Sequence, residues 1–543
     1  MSRPAGRIPG RVLVPQRIKS LFRNLAIYGL GDVATSLISL LLLPVYTQYF
    51  APADYGVIAM LLTVEAFAKI LFRWGVDTAF MRLYFDCPDH PSRQRLASTL
   101  FFFLLAINGS LLLIGLVSAG RLSELLFDTR EHALLVRLMI TNTFVVGFYF
   151  IPFQVLRINE QSQQFIALVF GRSAGTLILR LALVVGLGMG VLGVVVADIA
   201  VTGVFTIVLS RWFAPLIRPV FSRTVIREAL GFGLPRIPHS LANQAIALAD
   251  RYFLKAYRTL EEVGLYSIGA TFGLALKLFL SAFEFAWTPF FLGAMHEPDA
   301  KQIYSRVSTY AIAVLVLLVA GLCAVSPDLV RLFTDEAFHT AAIVTPWIAL
   351  GVMFQGTYIV GSIGLVITKR TTLYPLATGL AAGTSLMANA MLIPRYGALG
   401  AAWANAIAYG TLAAVTIAFS WRLYPIPYEW ARLLRVAIAG GAAFAASEAV
   451  VPDAAPPLVG FFLRGGIAGA VYLAVLALTG FFHPGELRVL EDIRRRVVTR
   501  GAPVIPEPEP GQVEMAGEIV DTGPEPSAPV ETEPASPARR GPH

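Results

Sequence analysis

The feature that most constrains this chain is a succession of about 14 stretches of roughly 20 apolar residues, each long enough to carry a helix across a bilayer. They run approximately over 24–50, 55–81, 96–119, 133–156, 165–187, 190–213 and 229–253, and continue over 263–292, 310–326, 341–368, 373–393, 398–419, 430–450 and 459–481. The 543 residues are 56% hydrophobic and 14% charged, too apolar for a soluble surface. This predicts an all-α polytopic membrane protein. Cys87 and Cys323 are too few for a disulfide scaffold and sit in no metal-binding spacing. The basic N-terminus lacks the short apolar run and small-residue site of a cleaved signal peptide, so the first helix is expected to act as its own insertion signal.

The formal charge of +8 does not point to nucleic acid, because the basic residues lie in short connectors between apolar runs. Alternate assignment of connectors puts roughly 26 Lys and Arg on the N-terminal side and roughly 6 on the other, the bias expected of cytoplasmic loops. Both termini are therefore expected in the cytoplasm. The Arg211–Arg227 connector, with four arginines, is on that side. After Arg500 the chain becomes rich in Pro, Glu and Ala and is expected to form a disordered tail over 501–543. A basic amphipathic segment over 483–500 precedes it, suited to anionic headgroups or to fixing topology.

An internal repeat organises the span. Gly190-Val-Leu-Gly193-Val-Val-Val-Ala-Asp198 recurs as Gly397-Ala-Leu-Gly400-Ala-Ala-Trp-Ala-Asn405, an offset of roughly 207 residues. Nearly the same shift carries Gly56 to Gly264 and Lys69 to Lys277. The expected organisation is a basic arm over 1–23, a six-helix lobe over 24–215, a second over 216–424, and two extra helices over 425–482. Each lobe has an even number of helices, so the repeats are parallel, related by an axis along the membrane normal.

Charges inside apolar segments carry the functional reading, since each costs about 2.5–3.5 kcal/mol on insertion scales unless it faces protein or water. Glu65, Lys69, Arg73 and Asp77 follow i, i+4 spacing on one helical stripe. Lys69 and Lys277 fall near the middle of their segments and at repeat-related positions, as two lysines facing a central cavity would. Arg172 and Arg180, two turns apart, share a face, and Arg236 lies among Pro235, Pro238 and His239. Asp32, Asp198 and Asp250 offset part of the charge. An alternative reading has Glu65–Lys69 and Arg73–Asp77 as buried pairs that only hold helices together, and Arg236 as an interfacial anchor. A cationic cavity suits phosphate-bearing cargo, whereas a cavity for drug cations would need acids. No Walker loop or HExxH pattern is present, and no enzymatic activity is expected.

Two stretches carry a family resemblance. They are the opening helix Asn24-Leu-Ala-Ile-Tyr-Gly29, running to Leu43-Pro44-Val-Tyr46 and Ala51-Pro-Ala-Asp54-Tyr55-Gly56, and the stretch Met391-Leu-Ile-Pro394-Arg-Tyr396-Gly397. Over roughly 24–481 the chain resembles the Wzx-type oligosaccharide flippases, the polysaccharide branch of the multidrug/oligosaccharidyl-lipid/polysaccharide exporter superfamily. The resemblance implies two six-helix lobes forming a V around a central cavity. It implies alternating access that turns undecaprenyl-diphosphate-linked repeat units across the bacterial inner membrane for lipopolysaccharide or exopolysaccharide synthesis. Cationic cavity residues would bind this cargo, and the positions that fit are Lys69, Arg73, Arg180 and Lys277, with Arg172 and Arg236 added from charge alone. No cofactor is implied beyond H⁺ or Na⁺ coupling, for which Asp32, Glu65 and Glu284 are the candidate acids. Membrane lipids, a polysaccharide polymerase and glycosyltransferases are the implied partners. A lipid II flippase or a drug/cation antiporter would share the architecture. A polymerase or ligase would need a large outside loop, and the outside loops here are short.

Overall fold

A computed structural model describes residues 42–159, 161–370, 372–452 and 454–482. Asp32, most of the first expected span, the basic arm, the 483–500 segment and the tail lie outside the described residues. Within them the chain is helical, with no strand. The helices are α1 (Leu43–Tyr49), α2 (Pro52–Arg73), α3 (Val76–Asp86), α4 (His90–Phe127), α5 (Ala133–Val146), α6 (Phe150–Ile158), α7 (Ser162–Leu181), α8 (Gly190–Phe213) and α9 (Arg223–Gly233). They continue as α10 (Ile237–Tyr257), α11 (Leu260–Leu274), α12 (Lys277–Gly293), α13 (Ala300–Phe333), α14 (Thr345–Gly361), α15 (Ile363–Ile367), α16 (Leu373–Leu423), α17 (Trp430–Val450) and α18 (Pro457–Leu478). This is an all-α, multi-pass membrane protein.

By length and apolarity, 10 helices among the described residues are able to cross a bilayer, or 11 with the bent pair α11 and α12. The expected eleventh and twelfth spans form the single 51-residue run α16, about 76 Å if straight, over twice the bilayer core. It is not straight. Gly397 has φ 56° and ψ −132°, and a Cβ on Gly400 would stand 2.5 Å from the Leu392 carbonyl oxygen, so the chain doubles back there. The expected seventh span is divided by the turn Leu234–Arg236 between α9 and α10, and His239, Asn243, Asp250 and Arg251 make α10 less apolar than α11.

The GxLG motif has the same stereochemistry in both copies. Gly190, like Gly397, has φ +56°, a conformation that L side chains rarely adopt. Three residues on, a Cβ at Gly193 would lie 3.3 Å from the Leu183 backbone, as one at Gly400 would crowd Leu392. The first glycine reverses the chain and the second lets the returning helix approach. Gly56 and Gly264 obey a related rule. A Cβ on Gly56 would run into the Leu260 carbonyl, and one on Gly264 into the Pro52 carbonyl. Contact is reciprocal, so α2 and α11 cross with backbones touching, as small residues permit in membranes.

Several expected continuous helices are broken, among them the second and the eighth. The second span stops at Arg73 because Trp74 (φ 51°) and Gly75 (φ 68°) are both left-handed. Asn108 of α4, fully buried, supports the break: its Nδ2 donates to the Phe72 carbonyl at 2.7 Å, and its Oδ1 accepts from the Trp74 indole at 3.1 Å. At Gly75 the absent side chain admits the Gly233 backbone. The eighth span bends by 40° between α11 and α12, which puts Lys277 at the start of α12 and not in mid-helix. Asn108→Ala would leave a buried carbonyl and indole without partners, at about 1–3 kcal/mol each. It is expected to lower the thermal midpoint in detergent, while Ser110→Ala, whose hydroxyl is exposed and bonds only its own helix, leaves the midpoint unchanged.

The extra helices α17 and α18 are fastened to α13 by buried arginines. Arg464 is 1% exposed, with Nε 3.7 Å from Asp328 Oδ2 and Nη1 3.7 Å from Glu448 Oε1. Arg432 meets Glu429 at 3.0 Å and donates to the Tyr310 hydroxyl at 3.1 Å. Tyr472 donates to the Ala313 carbonyl between them at 2.7 Å.

Candidate functional site

Helix α2 begins cleanly, with Pro52 in its first turn and the Asp54 carboxylate accepting from Ala51 N at 3.2 Å. From that start, Glu65 and Lys69 fall one turn apart, Nζ 2.8 Å from Oε1, with the carboxylate nearly buried and the lysine half-buried. Facing them, α7 carries Arg172 and Arg180 two turns apart, and α8 carries Asp198. Arg180 closes on Asp198 as a two-pronged fork, Nε to Oδ1 at 2.9 Å and Nη2 to Oδ2 at 2.7 Å, while Nη1 donates to the Tyr46 hydroxyl at 3.1 Å. The Arg172 guanidinium lies 5.4 Å from the Tyr149 ring centre.

Glu65, Lys69, Arg172, Arg180 and Asp198 line one cavity of about 260 Å³, together with Asn142, Ser173 and Thr176. Among the described residues its walls hold three cations, Lys69, Arg172 and Arg180, against two acids, Glu65 and Asp198. Asn142 is 5% exposed, and its Oδ1 has no hydrogen-bond partner among the described residues. At about 30 Å³ per water, the volume suits roughly nine waters, or a phosphate-sized head with its hydration, and not an oligosaccharide. Arg180 is held by two partners, so Lys69 and Arg172 are the cations with capacity left for an anion.

The other candidates lie elsewhere. Arg73 turns across the helix break to Asp77, 3.6 Å away, so the pair joins two helices where the spacing alone had put four charges on one stripe. Arg236 is exposed in the turn Leu234–Arg236, 6.0 Å from the Phe232 ring. Lys277 lies 5.8 Å from the Tyr409 ring, and Glu284 is exposed two turns along α12. Neither is among the residues lining the cavity.

Sequence reasoning named Asp250 of α10 as an offsetting acid but passed over Arg251 beside it, and with it a second charged cluster. Asp250 is 2% exposed and Arg251 8%; Arg251 Nη1 is 3.1 Å from Asp250 Oδ1, and the Tyr266 hydroxyl donates to Asp250 Oδ2. The signal available was the adjacent Asp-Arg pair inside an otherwise apolar stretch. Tyr46 and Asn142 carried no such signal. An apolar groove of about 730 Å³ also opens between α13, α14 and α17, walled by Val316, Val319, Leu350, Met353, Val436 and Phe444, with Glu448 at its edge.

A family model described as polysaccharide biosynthesis protein matches residues 47–343, more than half of the chain. The chain belongs to that family. No curated protein sequence matches it. Among solved structures, the chain is similar to the lipid II flippase MurJ in an inward closed conformation, with a TM-score of 0.67 and 15% identity, over 84% of this chain and 98% of that one. It is similar to an inward-facing multidrug resistance MATE family transporter of the MOP superfamily, with a TM-score of 0.57 and 13% identity, over 74% and 96%. A MOP superfamily transporter from Pyrococcus furiosus, described as having a binding pocket of reverse polarity, gives 0.51 and 15%, over 77% and 96%. At these identities the likeness is one of fold. This chain and the proteins above share a helical membrane fold.

Proposed function

We propose that the chain is a flippase that carries undecaprenyl-diphosphate-linked oligosaccharide repeat units from the cytoplasmic to the periplasmic leaflet of the inner membrane, with both termini in the cytoplasm. The observation that carries this reading is the cavity on α2, α7 and α8, where three cations outweigh two acids inside membrane-spanning helices. Membership of a polysaccharide biosynthesis family and a fold shared with a lipid II flippase support it. The apolar groove is a suitable path for a polyprenyl chain, which would lose its hydration there. The balance of charge argues against a drug-cation antiporter, whose pocket would need net negative charge.

In this proposal the lobes 24–215 and 216–424 rock about the α2–α11 crossing. The cargo's diphosphate draws Lys69 away from Glu65, because a phosphate offers the ammonium more acceptors. Glu65 is then a nearly buried carboxylate whose remaining charged neighbours are Arg180, already committed to Asp198, and Arg172. Polymerase and glycosyltransferases would act before and after this step on the same lipid-linked sugar.

Lys69→Ala and Arg172→Ala should each reduce surface polysaccharide at equal protein level. Normal polymer from the double variant would remove the basis of the proposal. A lipid II flippase is the second reading, favoured by the MurJ likeness; reconstitution with lipid II in place of the oligosaccharide lipid separates the two.

A further inference from the structure

The connector between the two halves is built as a platform. Ser98 of α4 donates to the Leu216 carbonyl at 3.1 Å and accepts from Arg218 N at 2.8 Å. Gln94 Nε2 donates to the Pro215 carbonyl at 2.9 Å, and Ser222 N donates to Thr99 Oγ1 at 3.2 Å. Helix α9 then lays Val225, Ile226, Ala229 and Leu230 on the core formed by Phe80, Leu83 and Leu96. Its first turn is closed by Ser222, whose hydroxyl accepts from Val225 N.

The face left outward combines two chemistries. Arg218, Arg223 and Arg227 are exposed on it, and next to them in the chain Val220 and Phe221 are exposed at 40% and 54%. Exposed Phe85 at the end of α3 and Leu234 just after α9 extend the apolar part. The acids of this region, Asp86, Asp89 and Glu228, are outnumbered by arginine once Arg82 and Arg95 are counted. A topology signal requires only charge in a connector. It requires neither four hydrogen bonds fixing that connector nor exposed aromatic surface among the arginines.

We propose that this face binds anionic phospholipid headgroups of the leaflet it meets, a site separate from the cargo cavity. Lipid phosphates sit on Arg218, Arg223 and Arg227, and Val220 and Phe221 enter the acyl boundary, the arrangement of interfacial helices that combine a basic face with aromatic anchors. The bound lipid holds the inter-lobe connector at a fixed depth, next to the Gly75–Gly233 backbone contact.

The full chain in neutral detergent, titrated with phosphatidylglycerol or phosphatidylcholine and read by native mass spectrometry, tests this. Wild-type protein should retain phosphatidylglycerol at least ~10-fold better than phosphatidylcholine, since three arginines contribute. The triple variant Arg218→Gln, Arg223→Gln, Arg227→Gln should lose most of that preference. Lys369→Gln, Arg370→Gln, Arg422→Gln, which removes equal charge from other exposed connectors, should keep it. Phe221→Ser, which keeps every charge, should weaken retention of phosphatidylglycerol even if the arginine variant fails to insert. No preference in the wild type, equal loss in the two triple variants, or unchanged retention in Phe221→Ser would each overturn the proposal.

Discussion

Gly56→Ala is expected to abolish transport while the protein still reaches the membrane. The added methyl has no rotamer with which to avoid the Leu260 carbonyl, because the obstacle is backbone on a neighbouring helix. The only relief is to separate α2 from α11, and these helices carry Glu65 and Lys69 on one side and lead into Lys277 on the other. Overpacking of this kind costs about 1–3 kcal/mol. Gly264→Ala should behave alike, since it meets Pro52 as Gly56 meets Leu260. The double variant should cost little more than either single one, because both relieve strain by the same displacement. Gly203→Ala on α8 is the control, with nothing within 4 Å of the new methyl. Thermal melting in detergent and restoration of surface polysaccharide are the two measurements. Equal behaviour of Gly56→Ala and Gly203→Ala would refute the crossing as a functional contact.

Asp198→Ala is expected to be among the most destabilising single changes in the first half. It strands the Arg180 guanidinium, whose side chain is 18% exposed, with the Tyr46 hydroxyl as its remaining hydrogen-bond acceptor. Removing one member of a buried pair typically costs about 3–5 kcal/mol. Removing both, as in Asp198→Ala with Arg180→Met, should restore much of the thermal midpoint, because no unpaired charge is left. It should not restore transport, since the cavity then keeps Lys69 and Arg172 without the fixed cation beside them. Arg180→Lys retains the charge but cannot fork onto the carboxylate, so its stability should fall between the two. If Asp198→Ala melted at the wild-type temperature, the pair would have no claim to organise the cavity.

The helices were readable because each is a long apolar run, and the repeat was readable because its glycines perform the same backbone task in both copies. Gly190 and Gly397 share a left-handed φ that admits little else, so the motif survives where side chains have drifted. Glu65, Lys69, Arg172 and Arg180 were legible by spacing alone, and they line one cavity. What spacing did not convey was partnership across helices. Asp198 read as a generic counter-charge, and the Arg180 fork onto it depends on how α7 packs against α8. The break at Trp74 was invisible for a similar reason: it is supported by Asn108, more than thirty positions away, and local sequence offers only Gly75 as a hint. Arg464 was read as part of an apolar span, although Asp328 and Glu448 wait for it on two other helices.

The fork between Arg180 and Asp198 also bears on how the chain is made. Arg180 emerges from the ribosome eighteen residues ahead of its partner, near the C-terminal end of a helix that would carry it into lipid alone. An isolated arginine at the bilayer centre opposes insertion by about 2.5–3.5 kcal/mol, less toward a helix end as here, and pairing reduces that opposition. α7 and α8 therefore favour entering the bilayer together, as a hairpin reversed at Gly190, with the charges already neutralised. A pause in synthesis between these two helices is therefore expected to slow insertion of the first.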